Sequence, residues 1–207
     1  PTSMISVQTT ERIASAGALK NERKKSAVSK VVKNIDSLFN DMVDTVNELK
    51  KSMDSASIHD VETAVQLVMK RLLHANSANI DDVYVVTPSK KEEREVFVAL
   101  GGMHQLLRFF EKPFGDKGKG VAYMLQDRDY RLWLHKNSQV WVDVLVILRE
   151  VLLSLPALSE GVFSTRHVCF LFTLLAHEST FEHAANLLED VLAVKTELFS
   201  LACVPHL

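Results

Sequence analysis

Glycine and proline are both scarce in this sequence, at seven and five residues of 207. All-β folds spend these residues on their many turns, so a sandwich or barrel of short strands is excluded. Cysteine is scarcer still, with only Cys169 and Cys203. Two cysteines cannot build a disulfide framework, and Cys169 stands in an apolar helical run where it reads as a small core hydrophobe. Free thiols imply a reducing compartment, hence a cytoplasmic protein. Long apolar runs are missing too: the stretch from Val140 to Leu158 is broken by Asp143, Arg149 and Glu150, so no membrane span is expected. The N-terminus lacks the charged start and apolar core of a secretory signal. Charge of one sign is also absent, since the formal net charge is −2. That balance gives no general attraction to nucleic acid or an anionic membrane.

What the chain does have is apolar surface at helical spacing. Its 47% hydrophobic content against 24% charged residues is enough for one sizeable core or a short helical array. Val28, Val31, Val32, Ile35, Leu38, Phe39, Met42, Val43, Val46, Leu49 and Met53 predict one long amphipathic helix starting near Ser26, its stripe turned to the core. Ser57 and Asp60 then open a second helix that runs through Val61, Val65, Val68 and Leu72 to His74. The segment 75–87 loses the helical period, and its Asp82–Val86 run reads as extended loop for want of a partner strand. A charged start at Lys90–Glu95 leads into Val96–Leu100, where Gly101 and Gly102 stop the helix. Gly101 is expected to take the left-handed cap. Met103, Leu106, Leu107, Phe109 and Phe110 restart the pattern, which ends before Pro113.

Further on, Val140, Val144, Leu145, Ile147, Leu148, Val151 and Leu152 predict a strongly apolar helix stopped at Pro156, with a short helix near Leu158–Phe163. Phe170, Leu171, Leu174 and Leu175, then Phe181, Ala184, Ala185, Leu187, Leu188, Val191 and Leu192, predict a pair of helices. The polar break His177–Thr180 between them is short enough for a tight connection. Paired helices that need neighbours to cover their apolar faces are the unit of an α-solenoid.

Candidate chemistry is sparse. Gly115–Gly120 is glycine-rich, but Gly118-Lys119 is followed by Gly120 where a phosphate-binding loop needs Ser or Thr. His177-Glu178 and His183 lack the four-residue spacing that puts two zinc-ligating histidines on one helical face. His167, Cys169 and His177 show no paired short spacing of a structural zinc site. A Cys169–His nucleophile pair is set aside because burial would raise the thiol pKa and leave it unreactive. Lys20, Arg23, Lys24 and Lys25 form one dense basic cluster, read as a solvated face. Tyr123, Arg128, Tyr130, Arg131 and Trp133 mix aromatic and cationic groups with Asp127 and Asp129. Those residue types are enriched at protein-contact hot spots, so this segment is the candidate protein contact. No catalytic residue, cofactor, metal or small-molecule ligand is expected, and proteins are the expected partners.

Particular words add to the pattern. Phe170-Leu171-Phe172-Thr173-Leu174, Thr180-Phe181, Glu189–Lys195 and Val204-Pro205-His206-Leu207 resemble one stretch of the TRUSS family, the transient receptor potential channel 4-associated proteins. Val96–Pro113, with its apolar helix, Gly-Gly, Leu-Leu pair and proline, is similar to another stretch in the same order. The resemblance implies an all-α, armadillo-like α-solenoid, with Gly101 and Gly102 as a structural helix junction. From the residues themselves, 1–25 reads as a flexible segment ahead of a helical domain 26–207, and the resemblance places that domain in the N-terminal part of a longer solenoid. Members of the family serve as substrate receptors of cullin-RING ubiquitin ligases and as scaffolds in tumour-necrosis-factor receptor and calcium-channel signalling. The function implied is therefore a non-catalytic adaptor that recruits targets for ubiquitination, its partners a cullin-RING ligase adaptor and substrates. An armadillo-like signalling or trafficking scaffold with no ligase link is the alternative. Leu187, Leu188, Val191, Leu192, Val194, Leu198, Phe199 and Leu201 offer more apolar surface than one helix face can hide. An exposed apolar patch near the end of the chain is expected, with the sequence continuing beyond it as a further repeat.

Overall fold

The computed structural model describes residues 36–37, 39–55, 57–73, 89–111, 132, 134–159 and 161–198. The chain divides into two compact units, one of residues 1–40 and 78–88, the other of 41–77 and 89–207. Of the first unit only 36, 37, 39 and 40 are described; they are helical and exposed, and Phe39 is exposed rather than turned to a core. The expected flexible segment 1–25 and the extended loop 75–87 lie outside the described residues.

The second unit is all-α among its described residues. Helix α1 covers 41–54, α2 Ile58–Leu72, α3 Lys90–Ala99 and α4 Gly102–Glu111. Then come α5 Ser138–Ser154, the single turn α6 Pro156–Ser159, α7 Thr165–Leu174 and α8 Glu178–Val194, closed by a 3-10 turn at Thr196–Leu198. Two expected boundaries move. Pro156 does not merely end α5 but starts α6, since a ring-fixed φ and a missing N–H suit the first helical position. The short helix is thus Pro156–Ser159, not Leu158–Phe163. The α7–α8 connection is Leu175–His177, and Glu178–Thr180 form the first turn of α8 with a carboxylate at its positive end.

Local chemistry explains the starts. Ser57 accepts from the Asp60 N–H, and Ser89 forms a capping box with Glu92, whose carboxylate returns to the Ser89 N–H at 2.7 Å. Ser164 caps α7 in an unusual way: its N–H donates to His167 Nδ1 at 3.1 Å. The ends are held from outside. Lys90 Nζ donates to the Arg71 carbonyl at 2.6 Å and pairs with buried Glu93 at 3.0 Å. Arg94 Nε donates to the Leu72 carbonyl at 3.4 Å. Cations of α3 therefore satisfy the open carbonyls and the negative end of α2.

Gly101 and Gly102 do different jobs. Gly101 has φ of 79°, the left-handed conformation that turns α3 into α4. Gly102 is already inside α4, and a Cβ built there would overlap the Phe97 ring of α3. Its missing side chain is what lets the two helices close on each other.

Helix α5 is the centre of the core. Nine of its 17 residues are buried, so it can rest only where other helices surround it. It packs against α2, α3, α4, α6 and α8. Toward α4 and α7 its Trp141 meets Phe109, with ring centroids 4.1 Å apart, and Phe170 at 5.3 Å. Phe110 stacks on Phe170 at 4.8 Å and completes the aromatic cluster. Of the expected terminal patch, Leu187, Leu188, Val191 and Leu198 are buried, Leu192 is half-buried and Val194 is exposed, while Phe199 and Leu201 lie outside the described residues. Helix α8 packs chiefly against α5 and α7, which cover its apolar face, and the 3-10 turn with buried Leu198 closes its end.

Gly102→Ala should destabilise the fold by about 1–3 kcal/mol through overpacking against Phe97. Gly101→Ala should lose about 1 kcal/mol from its left-handed backbone. Gly161→Ala, where a Cβ meets nothing within 4 Å, serves as the neutral comparison. Urea denaturation of the three variants measures the order; equal midpoints would contradict the packing account.

Candidate functional site

The three charges that interrupt the apolar run of α5 are each engaged by a neighbouring helix. Asp143 is 3% exposed. It accepts from the side-chain amide of Gln66 on α2 and from Gln139 Nε2, one turn earlier on α5, at 2.8 Å. Arg149 Nε donates to Asp190 of α8 at 2.6 Å, and that bond holds the guanidinium further toward its charged form. Glu150 pairs with Arg94 of α3 at 3.7 Å. Arg94 also bonds Ser154 Oγ, so one guanidinium ties the C-terminal ends of α2 and α5 together.

These pairs fix direction as well as contact. Gln66, midway along α2, meets Asp143 in the first half of α5, and the ends of both helices meet at Arg94 (Leu72 with Ser154). Asp143 feels His183 of α8, and one to two turns on Arg149 meets Asp190. Helices α2, α5 and α8 thus run parallel. By contrast α1 and α2 form an antiparallel pair, joined at one end by Arg71 with Asp41 at 3.2 Å and at the other by Ser55 with Asp60 at 2.6 Å.

Burial and the nearby Glu62 carboxylate raise the Asp143 pKa above its ordinary 3.8, against the pull of Gln139 and His183. Burial is the largest influence. The two amide donors make the carboxylate tolerable in the core without repaying its desolvation in full.

On its outer side α5 carries half-buried Val142 and Val146, then Leu153 at 53% exposure. Leu153 and Val194 each lie one turn beyond the Arg149–Asp190 pair on their own helices, so the seam ends in exposed apolar groups. A separate cleft of about 660 Å³ opens between α1 and α2, lined by Glu48, Lys51, Asp54, His59, Asp60 and Leu67 among others. Its charges are already matched: Asp54 with Arg108 at 2.6 Å, Glu48 with Lys51 at 3.9 Å.

Of the residues expected at a protein contact, Tyr123, Arg128, Tyr130, Arg131 and Trp133 all lie outside the described residues, as does the basic cluster Lys20–Lys25. Gly101 and Gly102 stand at the α3–α4 junction. His167 serves the cap of α7, and among the described residues no cluster of His, Cys, Asp and Glu could hold a metal ion. No helix of the described residues is long and apolar enough to cross a membrane.

Cys169 requires a correction. It is disulfide-bonded and only partly buried, not a free thiol sealed in the core. It sits on α7 with Phe172 at the margin of the buried face, both half-buried and packed against the core, while Val168, Phe170, Leu171 and Leu174 are fully inside. An apolar neighbourhood in sequence did not specify which side of the helix the thiol would occupy. The free-thiol argument for a reducing compartment goes with it.

No protein-family model matches the chain, and neither a curated protein nor a solved structure gives a match.

Because folding raises its pKa, Asp143 keeps a proton that the unfolded chain releases near pH 3.8. Stability from this group is present below that value and is lost as pH rises through the folded pKa. Asp143→Asn, which keeps an acceptor for one glutamine and lets the other reorient its amide, should be more stable than the parent at pH 7. That advantage should shrink as pH falls toward 4. Urea midpoints at several pH values measure it; a constant or reversed difference would refute the desolvation account.

Proposed function

We propose that this chain is a non-catalytic helical adaptor with armadillo-like stacking, and that its surfaces recruit proteins. The observation that carries the reading is the parallel row α2, α5, α8. Up-and-down bundles place neighbouring helices antiparallel, whereas a solenoid stacks equivalent helices of successive repeats in one direction. The offset from Ser138 to Glu178 is about 40 residues, within the length of a HEAT or armadillo unit. In this reading α3, α4 and α5 form one three-helix unit with the glycine junction between its first two helices. Helices α7 and α8 belong to the next.

A rigid row of this kind works by presenting surface. One part docks a ligase adaptor, another holds a target, and proximity raises the effective concentration of the target at the ubiquitin-transfer site. The resemblance to the TRUSS family supports a cullin-RING substrate receptor as the specific role, in the cytoplasm where such ligases act. A disulfide there would be transient and redox-sensing, as cytosolic disulfides usually are. The alternative, a signalling or trafficking scaffold with no ligase link, rests on the same helical surfaces.

Affinity purification of the tagged chain from cells, read by quantitative mass spectrometry, distinguishes them. A cullin and its adaptor, enriched about tenfold or more over a control in which Leu153 and Val194 are both changed to Glu, are expected if the α5–α8 seam is the docking surface. Coat, motor or cytoskeletal proteins in their place would support the scaffold, and no enrichment of either kind would overturn both.

A further inference from the structure

We propose that His167 is a proton-sensitive clasp at the start of α7. Its neutral imidazole holds the first turn closed, and protonation in mildly acidic solution releases it. The helix residue that reaches back to the cap is ordinarily Glu or Gln, whose side chain accepts from the cap's own N–H. Here a histidine takes that place. The Ser164 N–H donates to His167 Nδ1 at 3.1 Å, and Ser164 Oγ lies 3.2 Å from the same nitrogen. A backbone N–H can only donate, so Nδ1 must present its lone pair and the ring proton sits on Nε2. A second proton binds at Nδ1 and removes the acceptor that holds Ser164.

The surroundings suit a neutral ring. Phe110 of α4 meets it edge-on at 6.3 Å and Phe163 does the same at 6.4 Å, neither offering a counter-charge. The open N–H groups of the first turn make this end of α7 partly positive, and neighbouring Arg166 adds a cation. An imidazolium would add to both. The charges of the helices packed on α7 are engaged elsewhere. Arg108 of α4 pairs with Asp54 of α1 at 2.6 Å. On α8, Asp190 bonds Arg149 of α5 at 2.6 Å, Glu189 acts on the same guanidinium, and His183 acts on Asp143. His104 of α4 is exposed, and the side chain of Glu111 lies outside the described residues.

The clasp controls more than one bond. The His167 and Val168 N–H groups donate to the Ser164 carbonyl at 2.9 and 3.2 Å, so freeing Ser164 loosens the whole first turn. Phe163, buried just ahead of that turn, is uncovered when it opens. Later in α7, Phe170, Leu171 and Leu174 are buried and keep the rest of the helix anchored, so the release is local. Because the bonded form is the neutral one, the clasp contributes above the ordinary imidazole pKa of about 6.5 and is lost as pH falls below it.

NMR of the isotope-labelled full chain tests both the tautomer and the release. Imidazole nitrogen shifts should show His167 as the Nε2–H tautomer at about pH 7.5 and as imidazolium at about pH 5.5. Over that range the hydrogen-exchange protection factors of Ser164, His167 and Val168 should fall about fivefold or more, the usual effect of losing a cap. His167→Gln keeps an acceptor in the same place and has nothing to titrate, so its protection should persist at the lower pH. His167→Ala should show the low protection at both. An Nδ1–H tautomer, or a ring still neutral at the lower pH, would overturn the clasp. So would a parent whose protection ignores pH, or a glutamine variant that loses protection as the parent does.

Discussion

Helix α5 has almost no free side, and the rest of the unit is arranged around that fact. A helix with so broad an apolar surface is stable only inside a shell of other helices, each burial worth roughly 1.5–3 kcal/mol for a full-sized side chain. Different sectors of α5 meet different partners. Trp141 faces the aromatic residues of α4 and α7, while Asp143, Ser154 and Glu150 face α2 and α3, and Arg149 faces α8. Removing any one partner would leave a sector of α5 in water, so the helices are held as a set.

The polar groups on α5 add what apolar contact cannot. Hydrophobic burial is non-directional, and two greasy helices can slide or reverse with little change in buried area. A carboxylate that must meet an amide on the neighbouring helix, and a guanidinium that must meet a carboxylate, favour one alignment. Burying Asp143 is unfavourable by itself, as its raised pKa records. Its compensation is specificity of register, and the parallel row follows from that register. Beyond the Arg149–Asp190 pair, Leu153 and Val194 stand exposed on their own helices.

Much of the fold was legible along the chain. The spacing of Val61, Val65, Val68 and Leu72, or of Val140 through Leu152, announces helices because burial of one face imposes a 3.6-residue period wherever it occurs. Gly101 was equally legible, since a residue that must take positive φ at a helix end is nearly always glycine. The capping box at Ser89 was there to be found as Ser followed three residues later by Glu. Trp141 carried no such signal; a lone tryptophan in an apolar run does not reveal that three phenylalanines from two other helices converge on it.

Sequence by itself determined which segments are helical and that each carries a face needing cover. Those properties are local, set by dihedral preferences and by periodicity within about a dozen residues. Only the tertiary structure decided that α2, α5 and α8 run parallel, that Asp143 is buried between Gln66 and Gln139, that Gly102 makes room for Phe97, and that Cys169 is half-buried and disulfide-bonded. Each of these depends on groups far apart in the chain or on which side of a helix a residue falls once its neighbours have packed. A one-dimensional pattern holds the apolar period but not the identity of the surface that will meet it.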